Sequence, residues 1–392
     1  MVVALCFLKL FSAAAGNVEG AEWQRHAIDN TSKGADGARL LDVNNDGRLD
    51  ISTPWEEGRA VRAYLQPPVA DVRALWPSVT VGNLASPEDA TFADLDGDGA
   101  FDIISSAEGD DRTVYLHWAP ASVDQYLNAT AWTTTPLTAS KGPQWMFAAP
   151  LQIDGKNGSD FFAAGKNEAA QIGWFEAPAN ARDADQWKWH ALQNVGWVMS
   201  IRLIDLDNDA DLDVLYSDRK GAERGVWWLE NPGTENATAA WPRHYIGGKD
   251  YQVMFLDIAD FDKNGNTDIY VATSGGGVLR ISRAAGAAEW REQEIPLPDN
   301  TGTGKSVAIG DIDNDGKSDL IVTCENAKDK YGVFRLSQNE TGTWKAFDVS
   351  GLTGTKFDLV QLVDLDTDGD LDVVTCEERE NLGLIWYENP AK

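Results

Sequence analysis

Apolar and polar residues alternate in short runs along this chain. DISTP, DIISS, DVLYS, DIYVAT, DLIVTC and DVVTC are rich in β-branched and apolar residues, and they predict short strands. Each follows an acidic nine-residue turn, and an alternating segment such as MFLDIAD leads into the turn. A third apolar run carries an aromatic signature: IGWFEAP, VWWLENP and LIWYENP, with looser forms VYLHWAP, VRAYLQP and YGVFRLS. A fourth run contains tryptophan near its start, as in EWQRHAI, QWKWHAL, AWPRHYI and TWKAFDV. The pattern predicts units of four short strands.

The acidic turns read DVNNDGRLD (42–50), DLDGDGAFD (94–102), QIDGKNGSD (152–160), DLDNDADLD (205–213), DFDKNGNTD (260–268), DIDNDGKSD (311–319) and DLDTDGDLD (364–372). Their first residues lie 51–58 positions apart, which marks a repeat architecture of one supersecondary unit per repeat. Loop positions 1, 3, 5 and 9 offer carboxylate or amide oxygens, and position 7 can add a carbonyl. Hard oxygen ligands in a tight turn suit Ca²⁺. The expected ligands are Asp42, Asn44, Asp46 and Asp50; Asp94, Asp96, Asp98 and Asp102; Asp205, Asp207, Asp209 and Asp213; Asp260, Asp262, Asn264 and Asp268; Asp311, Asp313, Asp315 and Asp319; and Asp364, Asp366, Asp368 and Asp372. Position 6 is glycine in five copies, where a positive φ lets the loop wrap an ion, and Ala210 in the fourth. Copy three is damaged. It carries Gln152, Lys156 and Asn157, and a lysine ammonium there replaces the ion, so about six sites are expected and none at 152–160. EF-hands begin similarly but need a Glu at position 12 and a following helix. Position 12 here is Thr53, Ser105, Tyr216, Val322 or Thr375, and strands follow.

Seven four-stranded units predict an all-β, seven-bladed β-propeller. The ends of the chain agree. EWQRHAI near the N-terminus is a fourth strand without its first three, and the last repeat stops after its third strand, LIWYENP. Pairing residues 22–30 with 382–390 completes the last blade and closes the ring. The recurring loop after a short strand resembles the FG-GAP/VCBS repeat family, the propeller type also found in integrin α subunits, over residues 22–392. The resemblance implies Ca²⁺ in the loops named above. It leaves function open, because members serve in adhesion, in lectin-like sugar binding and as scaffolds of polysaccharide lyases.

The chain has 62 acidic and 33 basic residues, a net charge of −29. Six calcium ions would offset about twelve of those charges. An acidic surface argues against nucleic acid and anionic lipid as partners. Residues 1–16, MVVALCFLKLFSAAAG, read as a secretory signal with an A-x-A-like cleavage site, leaving 17–392 as one propeller domain. No other segment approaches the length of a transmembrane span. The expectation is a secreted or periplasmic monomer. Cys6 leaves with the signal; Cys324 and Cys376 read as small buried residues, with a disulfide between repeats left open.

Thirteen of the sixteen tryptophans fall in third or fourth strands and read as packing between blades. Trp55, Trp145 and Trp197 do not. They fall in connections on the face opposite the acidic loops, with Tyr251 at a comparable offset. Together with Arg219 and Arg379 in the charged connections DRKGAER and EEREN, they are the expected ligand residues for an extracellular glycan or protein. No histidine sits on that face, and no nucleophile-elbow, zinc-protease or phosphate-loop motif is present. A binding module is therefore preferred to a polysaccharide lyase or glycoside hydrolase, for which Tyr251, Glu57 or Glu108 would be candidate bases; a structural or adhesion protein is the third reading.

Overall fold

The computed structural model describes residues 10–11, 16–284, 287 and 289–391. Among them, seven four-stranded antiparallel units follow one another around a ring. Each blade runs outward from its inner strand. Blade 1 comprises Arg39–Leu41, Asp50–Trp55, Ala60–Tyr64 and Ser78–Asn83. Blades 2 to 6 repeat the order, with inner strands Pro87–Ala93, Gln144–Pro150, Val198–Ile204, Val253–Ala259 and Thr303–Gly310. Blade 7 takes Gln361–Val363, Asp372–Glu377 and Gly383–Glu388 from the C-terminus and Gln24–Asp29 from the N-terminus. Only short 3₁₀ turns interrupt the strands, and no helix of the described residues is long and apolar enough to cross a membrane.

Second strands such as Asp102–Ala107 and Asp268–Thr273 are buried along their whole length. A neighbouring blade covers each face, which is why these strands read as continuous apolar runs instead of alternating ones. Blades 3, 4 and 7 share a further device. A histidine on the fourth strand stacks on a tryptophan of the third: His190 on Trp174 at 4.4 Å, His244 on Trp228 at 4.3 Å and His26 on Trp386 at 4.6 Å. The same ring bonds the glutamate two residues past that tryptophan, Glu176, Glu230 or Glu388, at 2.7–2.8 Å. Strand alternation brings Trp and Glu to one face, and the histidine fits between them.

The closing strand pairs as the split repeat requires. Gln24 lies opposite Glu388, His26 opposite Trp386 and Ala27 opposite Ile385. Arg73, in the blade 1 excursion, donates to both oxygens of Glu388 at 2.8 Å and so links the first and last blades. Of the segment expected to be a signal, residues 1–9 and 12–15 lie outside the described residues; the backbone of Leu10–Phe11 runs parallel to Gln293–Glu294 at the outer edge of blade 5. Cys324 and Cys376 are buried free thiols.

Two measurements test this frame. Ile28 on the closing strand is fully buried, so Ile28→Ala should cost about 2–5 kcal/mol, and deletion of 22–30 should depress thermal unfolding further still. An unchanged melting temperature on deletion would show that the ring does not depend on this strand. The second concerns His117, fully buried between the hydroxyls of Ser105 (2.8 Å) and Thr134 (2.9 Å). Burial drops its pKa to about 3. The unfolded chain takes up that proton near pH 6.5, so stability should be complete above that pH and fall, by an amount on the order of several kcal/mol, as pH drops toward 3. Denaturant titrations between pH 7 and 5 should show this slope in the wild type and a flatter one in His117→Gln.

Candidate functional site

Each acidic loop is folded by its own carboxylates. In copies one, four, five and seven the first aspartate accepts the N–H groups of positions 5 and 6: Asp42, for example, from Asp46 (3.1 Å) and Gly47 (2.9 Å), and Asp260 from Asn264 (2.9 Å) and Gly265 (2.9 Å). Ala210 takes the glycine position at φ +78°, a left-handed backbone held by the loop around it. The ninth residue faces inward. Asp50, Asp102, Asp160, Asp213 and Asp372 are buried, and each accepts one N–H from loop position 2 and one from just past the third strand, Asp160 taking that of Asp154 as well. Asp213, for example, takes Leu206 N at 3.0 Å and Asn231 N at 2.8 Å. Blades 5 and 6 lack that partner and place a third-strand arginine instead: Arg280 on Asp268 (3.0 Å) and Arg335 near Asp319 (3.8 Å).

The oxygens fit a hard cation. In copies two, four and six, one oxygen each of Asp94, Asp96 and Asp98, of Asp205, Asp207 and Asp213, and of Asp311, Asp313 and Asp315 lie within 4.8 Å of one another. That spacing suits an ion with ligands at about 2.3–2.6 Å. Copy three is closed by its own side chains. Lys156 Nζ sits 2.9 Å from Asp154, and Gln152 donates to the carbonyls of Lys156 and Gly158. Copy five is also partly filled, because Arg280 holds both Asp262 (2.7 Å) and Asp268.

The opposite face carries a cavity of about 250 Å³ at the mouth of the central channel. The repeat builds it with two rings of equivalent positions. The first ring stands six residues before each loop: Asp36, Glu88, Met146, Met199, Met254, Lys305 and Asp358. In blades 2 to 6 the inner strand breaks register at this point, between Pro87 and Asp89, Trp145 and Phe147, Val198 and Ser200, Val253 and Leu256, and Gly304 and Ser306. A β-bulge of this kind re-aims the extra residue. The second ring stands six residues after each loop: Glu56, Glu108, Lys166, Arg219, Ser274, Glu325 and Glu378. A hairpin brings both offsets to the same end. All but Met254 and Ser274 line the cavity, joined by Phe147, Trp197, Phe255, Lys356 and Arg379.

The lining divides in two. Met146, Phe147, Met199 and Phe255 from blades 3 to 5 form an apolar arc, and blades 6, 7, 1 and 2 supply most of the charge. Lys166 is buried against Glu88 (3.5 Å) and contacts Glu108. Lys305, also buried, lies 3.2 Å from Asp358 and 3.9 Å from Glu325, and Lys356 pairs with Glu378. Burial opposes ionisation of Asp358, yet Lys305 and Lys356 hold its carboxyl below the ordinary range. Burial pushes Glu88 up to about 7 against the pull of Lys166. Asp36 is driven well above the ordinary range, by burial first and then by the charges of Asp358 and Glu88.

Of the residues expected from sequence, the structure brings Trp197, Arg219 and Arg379 to this cavity. The Trp197 ring lies under three cations, with Lys220 Nζ at 4.0 Å, Lys166 Nζ at 4.7 Å and the Arg219 guanidinium at 5.0 Å. Trp55 and Trp145 must be corrected. They are 0% and 1% exposed, and their indoles donate to Tyr64 Oη (2.8 Å) and Ser140 O (2.6 Å). Trp145 stands seven residues before its loop and Trp55 five after, so strand alternation turns both into the layers between blades. Tyr251 packs against the core cluster of blades 4 and 5 and bonds Glu294 at 2.9 Å, away from the cavity. Glu57 is exposed; its neighbour Glu56 is the residue that enters the cavity. Glu108, a candidate base in the sequence, does line the cavity, whereas Asp36, Glu56, Glu88, Lys305, Asp358 and Glu378 carry no local signal. Superposing the seven repeats on their loops and reading six residues either way would have found them.

A family model described as an FG-GAP-like repeat matches residues 260–322. Two crystal structures of BBS1N in complex with ARL6DN, soaked with mercury and with lead, are similar in fold. The first has a TM-score of 0.54 at 10% identity, covering 94% of this chain and 97% of that one; the second has 0.52 at 10%, covering 96% and 98%. At that identity the likeness concerns the fold alone. Comparison with curated proteins finds no match.

Proposed function

We propose that this protein, an FG-GAP repeat β-propeller and hence a binding or scaffold module, is secreted, stabilised by calcium in its acidic loops, and binds an extracellular glycan at the channel mouth. The cavity carries this reading. It joins an apolar arc to a rim of fixed charges, the pairing that takes the face of a sugar ring on one side and its hydroxyl or acidic groups on the other. Arg219 and Arg379 on the rim suit carboxylates or sulfates of an anionic glycan. The net charge of −29 disfavours nucleic acid.

Calcium bound in the loops would neutralise carboxylates that otherwise crowd one nine-residue turn, tying the loop to the ends of its two strands. Ligand oxygens gather closely in copies two, four and six; Lys156 takes the place of the ion in copy three, and arginines compete for a ligand carboxylate in copies one, two, five, six and seven.

Two outcomes check the proposal. Chelation should lower the melting temperature and added Ca²⁺ should restore it, because the ion binds the folded loops. Metal analysis should find several ions per chain and one fewer in Asp205→Ala; a chain free of metal at millimolar Ca²⁺ refutes calcium stabilisation. On a glycan array followed by calorimetry, Trp197→Ala should weaken binding several-fold, about 1 kcal/mol per lost ring contact, and Arg219→Ala should weaken anionic glycans selectively. Wild-type affinity in both variants would move the site elsewhere.

A further inference from the structure

We infer that the junction of blades 3 and 4 is an oxyanion subsite, in which Arg219 and Lys220, set around the Trp197 ring, take a carboxylate or sulfate group of the ligand. This rests on the glycan reading of the cavity and names the charged group by which the glycan is chosen.

The repeat shows what blade 4 leaves out. Blade 7 brings Lys356, Glu378 and Arg379 to the channel mouth, and Lys356 pairs with Glu378. Counted from the acidic loop, the equivalent positions of blade 4 are Trp197, Arg219 and Lys220. An arginine stands where blade 7 has its acid. Lys166 of blade 3 adds a third cation, and the three charged heads lie 4.0–5.0 Å from the centre of the Trp197 ring. Each is therefore within about 10 Å of the others, one screening length at 0.1 M salt.

The nearby acids leave this charge unevenly met. Lys166 is buried against Glu88 and Glu108. Arg219 has Glu325 at 3.9 Å, which Lys305 shares at the same distance. Lys220 is exposed and, among the described residues, has no acidic group within 4.0 Å. Its chain neighbour Asp218 is buried, with its oxygens taken by the N–H groups of Gly196 (2.9 Å), Trp197 (2.7 Å) and Lys220 (3.4 Å). Burial, then the charges of Arg219 and Lys166, lowers the Lys220 pKa. The face of the indole offsets part of this crowding. An oxyanion between Arg219 and Lys220 would offset the rest, and the two side chains suit it: one is a planar fork, the other a point charge on a flexible stem.

The backbone holds the group together in advance. Arg219 N donates to Trp197 O at 2.7 Å, Asn167 N donates to Gly196 O at 2.8 Å, and Lys166 and Trp197 form a β-bridge. Three segments thus meet at one point. Gly196 permits the approach, since a Cβ there would stand 1.9 Å from Lys220 O.

The experiment titrates the full chain, loaded with Ca²⁺, with neutral, uronate-bearing and sulfated oligosaccharides of one length, by calorimetry. An acidic member should bind about tenfold tighter than the neutral one, roughly the worth of one charged hydrogen bond, and added salt should shrink that advantage. Which acidic member leads tells carboxylate from sulfate. Lys220→Gln and Arg219→Gln should each remove most of the advantage. Lys345→Gln, the same loss of charge at an exposed position on the outer strand of blade 6, should not. Equal binding of neutral and acidic oligosaccharides overturns the subsite and leaves the glycan cavity standing. An advantage that survives both substitutions overturns the assignment to Arg219 and Lys220. A second arm needs no sugar: sodium sulfate, against sodium chloride at equal ionic strength, should raise the melting temperature of the wild type more than that of Lys220→Gln. If no oligosaccharide binds but this difference appears, the subsite stands and the glycan reading falls. If no oligosaccharide binds and the two proteins respond alike, both fall.

Discussion

The buried aspartate that ends each acidic loop is the contact on which the blade depends. Its two oxygens reach in opposite directions, one to the N–H of loop position 2 and one to the N–H beyond the third strand, as Asp213 does with Leu206 and Asn231. One side chain therefore fixes the turn and docks the third strand against it. Without it, two buried backbone donors would go unmet, at about 1–3 kcal/mol each. Where the third strand lacks the Asn-Pro, Ala-Pro or Gln-Pro ending that presents such a donor, Arg280 and Arg335 reach across from VLRIS and VFRLS to serve the same carboxylate. The contact survives even in copy three, where Asp160 keeps both partners although the cation ligands around it have changed. Its role in the fold is thus separable from any role in holding an ion.

Because this clamp sets the length and register of the first hairpin in every blade, it also sets what reaches the channel. Loop and clamp lie at one end of the hairpin, and the offsets of six residues meet at the other. The buried lysines of the cavity show how demanding that end is. Lys166 and Lys305 would be unstable there alone, and each is bracketed by two carboxylates. Blade 1 breaks the scheme: among the described residues no basic group lies within 4.0 Å of Asp36 or Glu56, and burial with the charges of Asp358 and Glu88 drives the Asp36 carboxyl well above its ordinary range.

Much of the fold was legible because repetition amplifies weak signals. One Asp-rich turn is ambiguous, but seven at a steady period are not, and the split last blade follows from which strand signatures stand at the two ends. The site was harder to read because it depends on parity. Trp145 and Trp55 drew attention by size, yet they stand one residue from Met146 and Glu56, and in a strand one residue is the difference between core and channel. Register breaks in the inner strands, invisible in any single repeat, complete the displacement. Glu88 and Lys305 gave no local hint, since a charge beside a turn ordinarily points to solvent; the cavity they share is formed only when distant blades meet.

The paired offsets of six have a consequence for how such a protein changes. Six of the seven blades contribute two adjustable positions to the channel mouth, on strands whose pairing and packing are settled by other residues. Blades 2 and 3 illustrate the latitude: one presents two glutamates at these places, the other methionine and lysine, within the same four-stranded unit. The mouth works as a combination dial of twelve letters on a frame that does not record the setting. Two propellers with the same loops, strands and closure can therefore select unrelated ligands.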